Sequence, residues 1–460
     1  MIICHDLGRF LGCYGIGTVH TPMIDSLAAE GVMFSQAFCT APQCGPSRSA
    51  LLTGRYPQSA CFGPPVADSA PVMSWSMHER ERHLARELTD SGYLSVAVGE
   101  VHECYPPLPA ASSGADLIAP ENLAARGGFD EVVADGPEGP DGEIRASRAI
   151  EQLERMAAAD RPFYLQVGFA EPHRLTGNRD EPGAWGFIGN HLEPDSELGV
   201  TVPPYLIDDP SAEAELAEMQ GAVRYVDASI GRILTRLREL QLEQNTVVVF
   251  TTDHGLSMPR AKMTLFDPGL ETALIVRFPQ RGWEGGRVVD ELVSNVDVFP
   301  TLIDAVGLPI PDRIDGQSVA PLLDGEKVGG RSEIFAQQTY HCYYEPSRAI
   351  RTERHKLVLR FSPGYSFMIE PIWRHRVTAT VPWSIASSVV EFYDLSNDPA
   401  EMIDLASTGD QVEVRTGLLE RLHAWMRDIS DPILSGPIPT PFHAAAMSAL
   451  VANGGTLPRD

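Results

Sequence analysis

Residues 246–255 read Thr-Val-Val-Val-Phe-Thr-Thr-Asp-His-Gly. The first seven are β-branched or aromatic and carry no charge, a run of strand length that reads as a strand covered on both faces. A long helical stretch, residues 211–240, leads into it. The same alternation recurs in both directions. Residues 1–4 (MIIC) form the end of a buried strand. Residues 22–30 form a helix with Thr21 as its cap, Pro22 in its first position and Gly31 as its stop. A second helix is expected from Pro46 to a stop at Gly54, and a third within 80–91, spaced by Leu84 and Leu88 and stopped by Gly92. Strands at 93–99, 162–170 and 273–279 and helices at 143–158 and 296–307 complete the series. Strands alternating with helices predict an α/β fold, a large, mostly parallel sheet sandwiched by helices.

From about residue 330 the character changes. A hairpin turning at 353–355, a strand opening the stretch EFYDLSNDPAEMIDL (391–405) and an amphipathic helix at 411–428 predict a smaller α+β domain with a short antiparallel sheet. The expected division is a catalytic domain over 1–330 and a second domain over 331–460, its Pro- and Gly-rich tail wrapping the surface. The 460 residues, 43% of them hydrophobic, suffice for two cores.

Lys and Arg total 36 against 62 Asp and Glu, a net charge of −26. That sheath argues against a general nucleic-acid or anionic-membrane binder. It does not forbid an anionic substrate, because a local cation reverses the sign inside a pocket. No stretch approaches the ~20 apolar residues of a membrane span. The start, MIICHDLGRF, lacks a secretory signal, which with seven scattered cysteines and no CxxC pair predicts a reducing, cytoplasmic setting. Met1 falls almost on the first strand, so a start upstream is left open.

Open α/β sheets place ligands beyond the carboxyl ends of their strands. The residues able to do chemistry follow that rule: His5 and Asp6 after the first strand, His102 after 93–99, His173 after 162–170, Asp253 and His254 after 246–252. An Asp-His pair there is by itself as often a turn former. The long connections 103–125 and 174–210 leave strand ends and are candidate pocket walls.

Residues 44–54 read Cys-Gly-Pro-Ser-Arg-Ser-Ala-Leu-Leu-Thr-Gly. They place a cysteine just before a helix whose first expected position is Pro46. Unpaired N–H groups and positive partial charge at that end would stabilise an oxyanion on residue 44, and Arg48 points the same way. On position alone, a buried structural cysteine is the plainer reading.

The segment resembles the Cys-x-Pro-Ser-Arg-x-x-x-Leu-Thr-Gly signature of the formylglycine-dependent sulfatases of the alkaline phosphatase superfamily. DLGRFLGCYG, TPMIDSLAAEGVMFSQAF, GRYP, Pro172-His173, TTDHG and FYDLSNDPAE resemble that family's landmarks in their usual order. The nearest flavour is the bacterial arylsulfatase and heparan N-sulfatase-like group. The resemblance implies that a formylglycine-generating enzyme reading Cys44, Pro46 and Arg48 oxidises Cys44. One hydroxyl of the hydrated aldehyde would attack sulfur, and the second would help expel sulfate. It implies His5, Asp6, Cys44, Asp253 and His254 as ligands of one divalent cation, Ca²⁺ first and Mg²⁺, Mn²⁺ or Zn²⁺ as alternatives. Lys262 would neutralise the ester, Arg48 would help stabilise an oxyanion on residue 44, His102 would support the diol, and His173 would be the leaving-group acid.

Two departures stand out. His5 replaces the usual Asp, which lowers the charge of the metal site. Glu100 replaces the usual lysine in Gly99-Glu100-Val101-His102. It should therefore turn away or meet a cation, with Arg260, Arg174 or a charged substrate group as candidates. The expected substrate is a small-molecule or carbohydrate sulfate, with self-association left open. Alternatives are a phosphonate monoester or phosphodiester hydrolase using the same formylglycine, or a binding homologue without activity.

Overall fold

The computed structural model describes residues 1–60, 77, 81–105, 119–135, 139–176, 185–188, 194–326, 329–340, 344–362, 388–438, 447 and 450. Eight strands build the main sheet: β1 (Ile2–Cys4), β2 (Val32–Phe34), β3 (Leu94–Gly99), β4 (Glu131–Val133), β5 (Phe163–Gly168), β6 (Val248–Thr252), β7 (Leu274–Arg277) and β8 (Arg287–Val289). Their order is β8-β2-β7-β6-β1-β5-β3-β4. β6, β1, β5, β3 and β4 run parallel, β7 is antiparallel to both of its neighbours, and β8 is parallel to β2.

Alternate residues of each strand feed two cores, which is why the strands read as continuous apolar runs. Ile2, Cys4, Val96, Val98 and Phe250 pack against helices α1 (Pro22–Glu30), α5 (Gly142–Ala157) and α6 (Pro210–Glu239). Ile3, Ala97 and Val249 face α2 (Cys44–Thr53), α3 (Leu84–Asp90), α4 (Pro120–Gly127) and α7 (Val298–Ala305). Among the described residues no helix is long and apolar enough to cross a membrane.

Two local expectations change. α2 begins at Cys44, not at Pro46: Gln43 is extended (φ −147°, ψ 140°) and accepts the Ser47 N–H at 2.9 Å. Pro46 is still tolerated, because the first N–H groups of a helix have no intrahelical partner to lose. Thr21 does precede α1, but its hydroxyl donates to Asp25 (3.0 Å). The Met23 and Ile24 N–H groups are instead taken by Asp227 of α6, at 3.1 and 2.8 Å.

The second sheet is antiparallel: β9 (Glu333–Tyr340), β10 (Tyr344–Thr352), β11 (His355–Arg360) and β12 (Val390–Asp394), in that order. One face packs Ile350, Leu357 and Phe392 against Leu418, Leu422 and Met426 of α8 (Val412–Asp428). The other packs Ala336, Ala349 and Val358 against Phe38, Leu265 and Leu270. The small sheet is therefore packed against the segment that follows β6. Most of the tail expected to wrap the surface lies outside the described residues.

Candidate active site

β6, β1, β5 and β3 are adjacent and parallel, so the residues after them converge on one edge of the sheet. His5 and Asp6 leave β1, His102 leaves β3, His173 leaves β5, and Asp253 and His254 leave β6. Cys44 arrives from the first turn of α2. One donor atom from each of His5, Asp6, Cys44, Asp253 and His254 lies within 4.8 Å of the others, and all five residues are buried.

The cluster is held by direct bonds. Asp6 takes a left-handed backbone conformation (φ 52°). Its N–H donates to Asp253 Oδ1 at 3.0 Å, and the His254 N–H donates to the same oxygen at 2.9 Å. The His254 Nδ1 faces the Gly255 carbonyl (3.0 Å), so Nε2 is turned to Cys44 Sγ (3.3 Å) and Asp6 Oδ1 (3.2 Å). His5 Nδ1 lies 3.0 Å from Asp6 Oδ1 and 3.3 Å from Asp253 Oδ2.

Arg48 donates from Nε to Asp253 Oδ2 at 3.2 Å. Its two terminal nitrogens are buried without a hydrogen-bond partner among the described residues, an opening suited to anionic oxygens. Lys262 Nζ bridges both Asp6 oxygens (3.0 and 2.9 Å) and approaches His173 Nε2 at 3.3 Å. His173 Nδ1 faces the Arg174 carbonyl at 2.7 Å, which leaves Nε2 toward the cluster.

Burial alone would push the Cys44 thiol up, but His5, Lys262 and His254 outweigh it and hold it well below the ordinary thiol range. Burial likewise opposes the charge on His5, and Asp253, Cys44 and Asp6 override it, lifting the imidazole to about 10. For Asp6, burial is outweighed by Lys262, His173 and His5, and the carboxyl sits well below its usual range. The centre is thus a buried set of charged groups, and two carboxylates, two imidazoles and residue 44 fit the donor set of a divalent cation.

Glu100 does not pair with the arginines expected of it. Arg174 pairs with Glu215, and Arg260 donates to the Glu401 carbonyl and lies over the Phe266 ring. Glu100 Oε1 instead lies 4.0 Å from His102 Nδ1. Burial works against its charge, but His102, Arg145, His5 and Arg48 hold the carboxyl down at about 2.

Three contributors escaped the sequence reading. Ser47 donates to the Asp253 carbonyl, and Asn295 Nδ2 donates to the Ser47 carbonyl and hydroxyl, each at 3.0 Å. Arg145 donates to the Gly168 carbonyl at 2.9 Å behind β5. Ser47 lies inside the quoted signature. Asn295 and Arg145 carry no local pattern, and only tertiary folding brings them in. In a second buried group, His83, Glu103 and Cys104, Glu103 Oε1 lies 3.4 Å from His83 Nε2 and accepts from Gln166 Nε2 at 3.0 Å. His83 Nδ1 accepts the Ala85 N–H at 3.0 Å, so its other nitrogen carries the proton that faces Glu103.

A family model described as Sulfatase matches residues 2–308, and one described as N-sulphoglucosamine sulphohydrolase, C-terminal, matches residues 254–366. The chain is 26% identical to N-sulphoglucosamine sulphohydrolase of Homo sapiens, covering 95% of this chain and 91% of that protein. Its fold matches a Bacteroides thetaiotaomicron protein described with the metabolism of multiple glycosaminoglycans (TM-score 0.71, 20% identity, 95% of this chain and 98% of that one). It also matches the phosphonate monoester hydrolase of Agrobacterium radiobacter (TM-score 0.66, 21% identity, 93% and 95%). At those identities the structures establish a shared fold.

Proposed function

Because the chain belongs to the sulfatase family, enzymes that hydrolyse sulfate esters or sulfamates, we propose that it does so with a nucleophile made from Cys44 by oxidation to formylglycine. The observation that carries this is the position of Cys44: first turn of α2, buried, 3.3 Å from His254 Nε2, inside a five-residue donor cluster. A thiol ester of sulfate has no ready release route. A hydrated aldehyde at residue 44 supplies one hydroxyl to attack sulfur and a second to expel sulfate. A divalent cation held by His5, Asp6, Asp253, His254 and residue 44 would favour the ionised hydroxyl and screen the ester oxygens.

The chain's own residues do the rest. Arg48 orients Asp253 through its Nε and keeps two N–H-bearing nitrogens for the sulfuryl oxygens. The α2 N-terminus adds orphan N–H groups and partial positive charge at the same place. His173, with Nδ1 on the Arg174 carbonyl and Nε2 turned to the cluster beside Lys262, is placed with that lysine to pass a proton to the leaving oxygen. His102 supports residue 44 from the β3 side by hydrogen bonding, one of the contacts that hold its side chain low. We take the substrate to be a carbohydrate sulfate, since the similar proteins act on or are described with sulfated sugars. A formylglycine-generating enzyme that reads Cys44, Pro46 and Arg48 is the implied maturation partner.

The test is turnover of matched aryl sulfate and aryl phosphonate monoesters by protein produced with that maturation enzyme, with a divalent cation present. Preference for the sulfate supports the reading. Preference for the phosphonate selects the other hydrolase of this fold, and no turnover of either selects a binding homologue.

A further inference from the structure

The FYDLSNDPAE stretch ends in Glu401, far along the chain from every residue in the site. Glu401 is 1% exposed and has a left-handed backbone (φ 55°). It grips the segment that carries Lys262 on both sides of that lysine. Before it, the Glu401 carbonyl accepts from Arg260 Nη2 at 2.8 Å. After it, the Glu401 carboxylate accepts the Asp267 N–H through one oxygen and pairs with Lys356 Nζ of β11 through the other, at 2.9 Å. Lys356 also pairs with the Asp267 carboxylate (2.8 Å), and Arg351 of β10 joins it at 3.1 Å.

The segment needs such a grip. Arg260 and Met263, flanking Lys262, both have positive φ (61° and 67°), a conformation that side chains with a Cβ hold only when their surroundings over-determine it. Its neck closes where the Gly255 N–H donates to the Gly269 carbonyl at 3.0 Å. A Cβ on Gly255 would stand 1.7 Å from the Pro268 carbonyl oxygen, so the two ends are already in contact. Elsewhere the segment is held by the Met263 N–H, which donates to the Pro42 carbonyl at 3.0 Å, and by Arg174 Nη2, which donates to the Ser257 carbonyl at 3.1 Å and approaches Met258 Sδ at 3.4 Å. Further ties run to Glu401 and its neighbours. The Arg260 guanidinium covers Phe266 at 4.1 Å, and Phe266 meets Tyr393 of β12 edge-on at 5.9 Å.

We propose that Glu401, braced by Lys356, is a positioning residue that sets Lys262 against Asp6 and His173, so that the small sheet supplies part of the active-site geometry. Its effect on turnover rests on the role given to Lys262 above; its effect on the segment does not. Two measurements separate these. The first is hydrogen exchange of the peptide spanning 255–269 in Glu401→Gln and Glu401→Ala, against Asp431→Asn as a control. Asp431→Asn weakens the buried pair with Arg348 in the small domain without touching the segment. Exchange in 255–269 should rise in Glu401→Ala and less in Glu401→Gln, which keeps an acceptor for the Asp267 N–H. It should stay at the parent level in the control. Unchanged exchange in Glu401→Ala, or an equal rise in the control, overturns the proposal.

The second is a double-mutant cycle in kcat with Lys262→Ala. Glu401→Ala alone should lower kcat between about tenfold and a hundredfold, the scale of a small misplacement near the chemistry, with KM little changed. In the Lys262→Ala background it should cost nothing further. Full additivity overturns the proposal even if the function reading stands. A parent without sulfatase turnover overturns the function reading and leaves the exchange result to decide the clamp.

Discussion

Lys262→Met removes the ammonium that sits between the two Asp6 oxygens at 3.0 and 2.9 Å, in a residue 2% exposed. At that separation and an effective dielectric near 20, the attraction is about 5 kcal/mol. Breaking a buried pair by removing one partner typically costs about 3–5 kcal/mol, because the remaining charge is left uncompensated. Metal-stripped Lys262→Met should therefore unfold at clearly lower urea than metal-stripped parent, by roughly that amount. A divalent cation bound to Asp6, Asp253, His5 and His254 would supply the missing positive charge, so saturation with Ca²⁺ or Mn²⁺ should restore most of the loss. Methionine keeps the volume of the lysine stem, which separates the charge effect from a packing effect. The assay is urea unfolding of both proteins after chelation and after reloading. A loss of the same size in both forms, or none in the stripped form, would refute the reasoning that one buried carboxylate serves both the lysine and the ion.

Asp6→Asn and Asp253→Asn should each nearly abolish sulfate-ester turnover and reduce the divalent cation retained after gel filtration, read by elemental analysis; wild-type values in either would remove that residue from the ligand set. Cys44→Ser should fold and be inactive or accumulate as a sulfated serine, visible as added mass on the peptide, because a seryl ester lacks the second hydroxyl; normal steady-state turnover would exclude the aldehyde mechanism. Glu100 is held at about 2 against an ordinary 4.5, with its side chain 16% exposed. The folded pKa is depressed, so its contribution of about 3 kcal/mol is present above pH ~4.5 and lost as pH falls toward ~2. Glu100→Gln should therefore be less stable at pH 7 and flatter across that acid window, and identical acid-unfolding curves would contradict this. Glu100→Lys should fare worse still, placing a cation beside His102, Arg145 and Arg48.

What could be read from the chain is what local periodicity and strand ends encode. The run before Asp253 is β6, and the rule that chemistry sits at carboxyl ends brought His5, Asp6, His102, His173, Asp253 and His254 together before their strand order was known. The short strands β2, β4 and β8 were missed because three residues carry too little alternation to stand out. The start of α2 was misplaced because proline marks the first turn, not one position within it. The expected partners of Glu100 are distant arginines, whereas the groups that lower its carboxyl are His102, two residues along, and Arg145, arriving from α5. Glu401 shows the general limit. Its motif was visible, but its work depends on a left-handed turn and on Lys356 of a sheet far from β6 in sequence, and neither is written locally.

The account turns on residue 44, and the mass of the peptide that contains it is the most direct test. Protein produced together with a formylglycine-generating enzyme should yield that peptide with sulfur replaced by oxygen and two hydrogens lost, and a carbonyl-reactive reagent should label it. An intact thiol at Cys44 in protein that turns over sulfate esters would contradict the account.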